Sequence, residues 1–141
     1  MGAWGPSGSA FYAIFRIAVA LYILVLLLLF FAQARLIFMP SQLLENFNFQ
    51  FLVPFEPKVL DVDGLKIHSL LFKAHDTKGL ILYFHGNAGD LSGWGRVAEE
   101  LVKRTSFDVW MVDYPGYGFS EGKVSSEEQL HRVAARMDPR T

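Results

Sequence analysis

The spacing of hydrophobic and polar positions changes character along this chain, and each change predicts an element. Residues 17–32, IAVALYILVLLLLFFA, carry no charge, and extending back to Ala10 adds only Arg16. About 20 apolar residues in helical form cross the hydrocarbon core of a bilayer, so 10–34 predicts a transmembrane helix or signal anchor. Arg16, near one end, can snorkel to the headgroups, and Trp4, Tyr12 and Tyr22 suit the interface. Arg16 as a charged n-region with Ala32-Gln33-Ala34 as a small-x-small site would instead mark a cleaved signal peptide and a product secreted after cleavage near Ala34. The apolar run exceeds the roughly 7–15 residues of such a peptide, which favours a single-pass N-terminal anchor. Arg16 and Arg35 flank the span evenly, so its orientation is not set.

Residues 35–57 read as a connector, because Pro40, Pro54 and Pro57 interrupt any long regular element. Phe47, Phe49 and Phe51 alternate within it. They suit packing onto the following domain, or a surface against lipid. From 58 to 141 the pattern is that of a globular domain. Two alternating segments in 58–72 flank Asp63-Gly64, a hairpin signal. GLILYFH (79–85) is a continuous apolar run, as in a strand covered on both faces. Trp94, Val97, Ala98, Leu101 and Val102 then make one helical stripe over 92–104, with Asp90 or Ser92 as cap. FDVWMVDYP (107–115) is a second buried strand. A last helix begins near Ser126, with Ser125 and Glu128 spaced as a capping box. Hairpin, strand, helix, strand, helix predicts an α/β class built on a parallel βαβ unit.

Composition narrows the function. The formal charge of −1 argues against nucleic acid as a partner, since phosphate binding relies on clustered Lys and Arg. Cysteine is absent, which removes disulfides and thiolate metal sites from consideration. The four His are scattered and none lies in an HExxH motif, so no metal and no cofactor are expected. GYGFSEG (116–122) is one residue off a dinucleotide fingerprint, and no helix starts within its glycines to meet a pyrophosphate. Oligomeric state is not set by any of these features.

Chemistry in open α/β sheets lies beyond the carboxyl ends of the strands. His85-Gly86-Asn87 and Asp113–Gly118 both fall there. YFHGNAGD, then VDYPGYGFSEG, then SSEEQLHRVAA resembles the serine α/β-hydrolases of the lysophospholipase-like branch, over about residues 33–136. That branch often carries one N-terminal membrane helix followed by a segment like RLIFMP. The resemblance implies the N-terminal part of an α/β-hydrolase fold preceded by one transmembrane helix. It also implies esterase-type or lysophospholipase-like cleavage of ester or acyl-lipid substrates at a membrane. By the same resemblance, the backbone N–H of Asn87 is one of two oxyanion-hole donors. Such a donor stabilises the charge of a tetrahedral intermediate by about 2.7–4 kcal/mol. Gly86 and Gly89 let the main chain approach, and His85 holds the loop without acting as base. The plainer reading of HGNAG is a glycine-rich strand-to-helix turn.

Gly-Phe-Ser-Glu-Gly at 118–122 matches G-x-S-x-G by letter only. A nucleophile elbow needs a strand feeding straight into the turn and a helix leaving it, and here Pro115 has already ended the strand. His131 reads as a solvated helix side chain. His68 and His75 precede the oxyanion loop, whereas these folds place Ser, acid and His in that order later in the chain. No catalytic residue is therefore expected within 58–141. The domain reads as truncated before the nucleophile elbow, a hydrolase fragment that on its own is inactive, or a tethered interaction module.

Overall fold

The computed structural model describes residues 8–138; Trp4 and residues 139–141 lie outside them. The chain divides into two units, with the boundary between Leu36 and Ile37. The first is almost wholly one helix, α1 (Gly8–Ile37), 30 residues and about 45 Å long. It overruns the sequence-based bounds at both ends. Leu, Ala and Phe favour the helix, no glycine or proline interrupts it after Gly8, and none of its residues is buried. Apolar side chains cover its whole circumference, which a helix tolerates only in a large core or in lipid. It is long and apolar enough to cross a membrane.

The second unit carries the α/β domain. Its elements are β1 (Met39–Pro40), β2 (Phe55–Val62), β3 (Leu65–Phe72), β4 (Leu80–Tyr83), β5 (Ala88–Gly89), α2 (Leu91–Thr105), β6 (Asp108–Val112) and α3 (Glu127–Arg136). The main sheet has strand order β2-β3-β6-β4. β2 and β3 form the expected hairpin, turning at Asp63 (φ 55°) and Gly64 (φ 79°), two left-handed positions as the primed turn requires. β4 and β6 run parallel, Leu80 opposite Asp108 and Tyr83 opposite Met111, with α2 as the crossover. β1 pairs in parallel with β5, apart from the main sheet.

The sheet is covered on both faces. Leu70, Phe72, Val109 and Met111 pack with Leu91, Ala98 and Val102 of α2. Val62, Ile67 and Val112 pack with Val133 and Met137 at α3. The alternation along β3 and β6 accounts for this, since successive side chains point to opposite faces. α2 buries Leu91, Gly95, Ala98, Glu99 and Val102, a face rotated from the expected stripe. The cause is aromatic. The Phe51 ring lies where a Gly95 side chain would be, 2.2 Å from an ideal Cβ. Phe51 in turn meets Phe55 at 5.3 Å and Phe72 at 5.0 Å, and Phe49 meets Phe119 at 5.8 Å. Phe49 and Phe51 thus pack on the domain, whereas Phe47 touches Phe49 but stays exposed, as do Leu44 and Leu52. Glu99, buried on the same face, accepts the N–H groups of Leu52 and Val53 through Oε1.

Three further positions differ from expectation. β2 begins at Phe55, inside the stretch read as connector, and includes Pro57. Proline is tolerated because β2 is an edge strand, paired to β3 alone. β4 is shorter than 79–85, and its residues are half-buried or exposed rather than covered on both faces, because it forms the opposite edge. The last helix is capped by Ser126, whose hydroxyl accepts from Gln129 N–H at 3.2 Å. Gln129 Oε1 reaches back to Ser125 N–H at 3.0 Å, so the box is shifted by one residue and closed by Gln.

Candidate functional site

At the carboxyl end of β4 the chain leaves the sheet through Phe84 and His85 and enters α2 at Asp90. Asp90 is buried and caps the helix, accepting Ser92 N–H at 2.7 Å. Between them the loop turns at Gly89, whose φ of 85° lies in the left-handed region that glycine adopts freely. An added Cβ at Gly86 would stand 3.1 Å from the Trp94 ring, so close packing and not φ favours glycine there. Trp94 also donates its indole N–H to Ala88 O at 2.8 Å.

Asn87 sits at the crest of this loop, exposed. Its carbonyl accepts two hydrogen bonds, from Met39 N–H at 2.8 Å and from the Tyr117 hydroxyl at 2.7 Å. Its side-chain amide donates to Ile37 O at 2.6 Å. Carbonyl and side chain are therefore both fixed, and the backbone N–H takes no part in these bonds. An open pocket of about 360 Å³ lies alongside, lined by Asn87, His85, Phe84 and Tyr114 and by Glu127, Leu130, His131 and Ala134 of α3.

His85 is buried beneath the loop. Its Nδ1 is 2.7 Å from Gly86 O and must donate, since a carbonyl can only accept. Its ring stacks on Trp94 at 5.8 Å and 17°, and lies 4.6 Å from the Tyr114 ring. Nε2 stands 3.4 Å from Asp113 Oδ1, near enough for an ion pair, yet it makes no hydrogen bond. Asp113 Oδ1 accepts Leu91 N–H at 3.0 Å, while Oδ2 is buried without a partner. Burial pushes the Asp113 carboxyl above its ordinary range, and the His85 ring opposes the shift. The Tyr114 hydroxyl, donating to His85 O at 2.7 Å, is pushed up to about 12 by burial and by its neighbours Tyr117 and Tyr83. It therefore remains a donor at any physiological pH.

The sequence-predicted residues His85, Gly86, Asn87 and Gly89 fall in one loop. The sequence puts Asp113, Tyr114 and Tyr117 at a strand end and Trp94 on a helical apolar stripe, and the structure adds that all four hold that loop. The hydrogen-bonding tips of the two tyrosines in DYPGYG are the signal in the sequence for this role.

Ser120 lies elsewhere in chemical terms. Its hydroxyl donates to Asp113 O at 2.8 Å and accepts His68 N–H at 2.8 Å, bracing the turn after β6. β6 ends at Val112 and α3 starts at Glu127, so no helix leaves the turn at Ser120. His75 is exposed beside Asp76, and His131 is exposed on α3 beside Glu127. Among the described residues no three His, Asp or Glu side chains gather where a metal ion would bind.

Comparison with known proteins shows what this arrangement is similar to. The family described as alpha/beta hydrolase fold matches residues 79–138, which hold β4, the loop, α2, β6 and α3. The Arabidopsis thaliana alpha/beta hydrolase domain-containing protein WAV2 is 30% identical over 78 residues, covering 54% of this chain and 25% of that protein. YfhR of Salmonella typhi is 28% identical over 81 residues, covering 54% of this chain and 27% of that protein. The chain thus spans about a quarter of the length of the curated relatives it matches. An esterase of Pyrococcus furiosus superposes with a TM-score of 0.52 at 17% identity, covering 70% of this chain and 39% of the esterase, a likeness of fold alone. Strand order, parallel crossover and matched residues agree: residues 79–138 are similar to the alpha/beta hydrolase fold family, and the domain carries part of an α/β-hydrolase-like fold.

Proposed function

We propose that this chain is the membrane-anchored, oxyanion-binding portion of a hydrolase that cleaves esters or acyl lipids. In this reading α1 is a retained span, and Asn87 N–H meets the negative charge that develops on a carbonyl oxygen during acyl transfer. The observation that carries the reading is the fixing of Asn87 through its carbonyl and its side chain, on the wall of an open and largely apolar pocket. A donor held this way needs no reorganisation when charge appears, which is what makes such stabilisation large.

Attack on the acyl carbon needs a nucleophile within hydrogen-bond reach of a base. Ser120 is held between a carbonyl and a backbone N–H, and His85 is sealed beneath the loop. In this reading the Asn87 loop binds and polarises, and neither Ser120 nor His85 serves as nucleophile or base.

The test is p-nitrophenyl butyrate hydrolysis by the 141-residue chain in lipid nanodiscs, with fluorophosphonate labelling in parallel. The expected result is no rate above empty discs and no label on Ser120. Turnover with stoichiometric modification of Ser120 would refute the division of labour. Release of the domain into the soluble fraction, with a new N-terminus near Ala34, would refute the anchor.

A further inference from the structure

The two loops at the candidate site, 85–90 and 113–122, come from different strand ends. A third segment, residues 38–43, stitches them together. β1 pairs Met39 with Ala88 and Pro40 with Gly89. Leu43 N–H donates to Gly118 O at 3.1 Å, and Gln42 bridges Gly118. At the centre stands Ser41. Its N–H donates to Gly89 O at 3.3 Å, and its carbonyl accepts Gly118 N–H at 2.8 Å. Its hydroxyl donates to Asp90 Oδ2. One residue thus holds both loops through its backbone and the helix cap through its side chain.

We infer that Ser41 is a positioning residue that fixes the Asn87 loop against the 113–122 loop. The chemistry requires a hydroxyl. Asp90 is buried, and its Oδ1 already takes Ser92 N–H, so Oδ2 needs a donor that an aliphatic side chain cannot supply. The same Asp90 ends the loop that carries Asn87, so losing the donor loosens the loop at its α2 end. Ser41 acts on the reaction only through Asn87, and in that respect the inference rests on the proposed function.

The test is site-resolved amide exchange on the full chain in nanodiscs, which reads loop order and not activity. In Ser41→Ala, exchange of the Met39, Ser41 and Gly118 amides rises threefold or more, while Ala98 and Val102 in α2 stay within that limit. The Asn87 amide resonance shifts, and Ser41→Thr restores both. The inference is overturned if Ser41→Ala leaves those three amides within threefold of the wild type. It is equally overturned if α2 accelerates as much as the loop, or if threonine fails to rescue. An Asn87 amide that never meets an anion would sink the proposed function and leave this clamp standing.

Discussion

Replacing Gly118 by alanine is expected to damage the domain more than any other single added methyl in the turn after β6, and the structure says why. Gly118 has φ 51°, and an ideal Cβ there would stand 2.0 Å from Asp113 Oδ2 and 2.7 Å from Cγ. That carboxyl is buried and resists swinging away, because Oδ1 holds Leu91 N–H at 3.0 Å with His85 Nε2 3.4 Å from the same oxygen. The left-handed conformation costs a non-glycine residue about 1–2 kcal/mol. Overpacking a filled interior adds about 1–3 kcal/mol. The sum, about 2–5 kcal/mol, is a large share of the stability of a domain this size. Gly64 supplies the control. It too has positive φ, 79°, but nothing lies within 4 Å of its added Cβ, so Gly64→Ala should show the conformational cost alone. Urea denaturation of both variants in detergent micelles, followed by Trp fluorescence, separates the two terms. If Gly118→Ala is no worse than Gly64→Ala, Asp113 is not locked where the argument puts it.

Five other substitutions test separate links. Glu99→Ala leaves the N–H groups of Leu52 and Val53 without their acceptor and should cost about 1–3 kcal/mol by the same assay. Ser126→Ala should cost about 1 kcal/mol and Ser125→Ala clearly less, because Ser126 is the residue that caps α3. Burial raises the Asp113 carboxyl above its ordinary 3.8, so the folded state holds that proton more tightly than the unfolded chain. Its contribution is complete below 3.8 and is lost as pH rises through the folded value; Asp113→Asn should remove that slope from a plot of urea midpoint against pH. His68 runs the other way. Burial lowers it below 6.5, so its contribution is present above 6.5 and is lost as pH falls through the folded value, a limb that His68→Gln should flatten.

What the sequence made legible was what depends on period and on short-range chemistry. The long apolar helix, the Asp63-Gly64 hairpin, the crossover helix and the Asp90 cap follow from spacing and from local hydrogen bonding. The buried face of α2 did not, because it is set by Phe51, a residue far away in the chain that packs onto Gly95. The start of β2 was hidden by Pro57, whose tolerance depends on the strand lying at a sheet edge. The site divided in the same way. HGNAG marked the loop that holds Asn87. Its supports at Ser41, Asp113, Tyr114 and Tyr117 come from two separate stretches, and only folding brings their hydroxyl and carboxyl groups to one place.

The central claim is that the Asn87 N–H is presented to an anion, and a titration reads it directly. The 15N-labelled chain in nanodiscs is titrated with the monomethyl ester of butylphosphonic acid, a tetrahedral anion, at millimolar concentration. The account predicts that the Asn87 amide shifts downfield in proton frequency, saturates, and moves more than any other backbone amide in 58–138. An Asn87 resonance that stays fixed while amides elsewhere respond would contradict it.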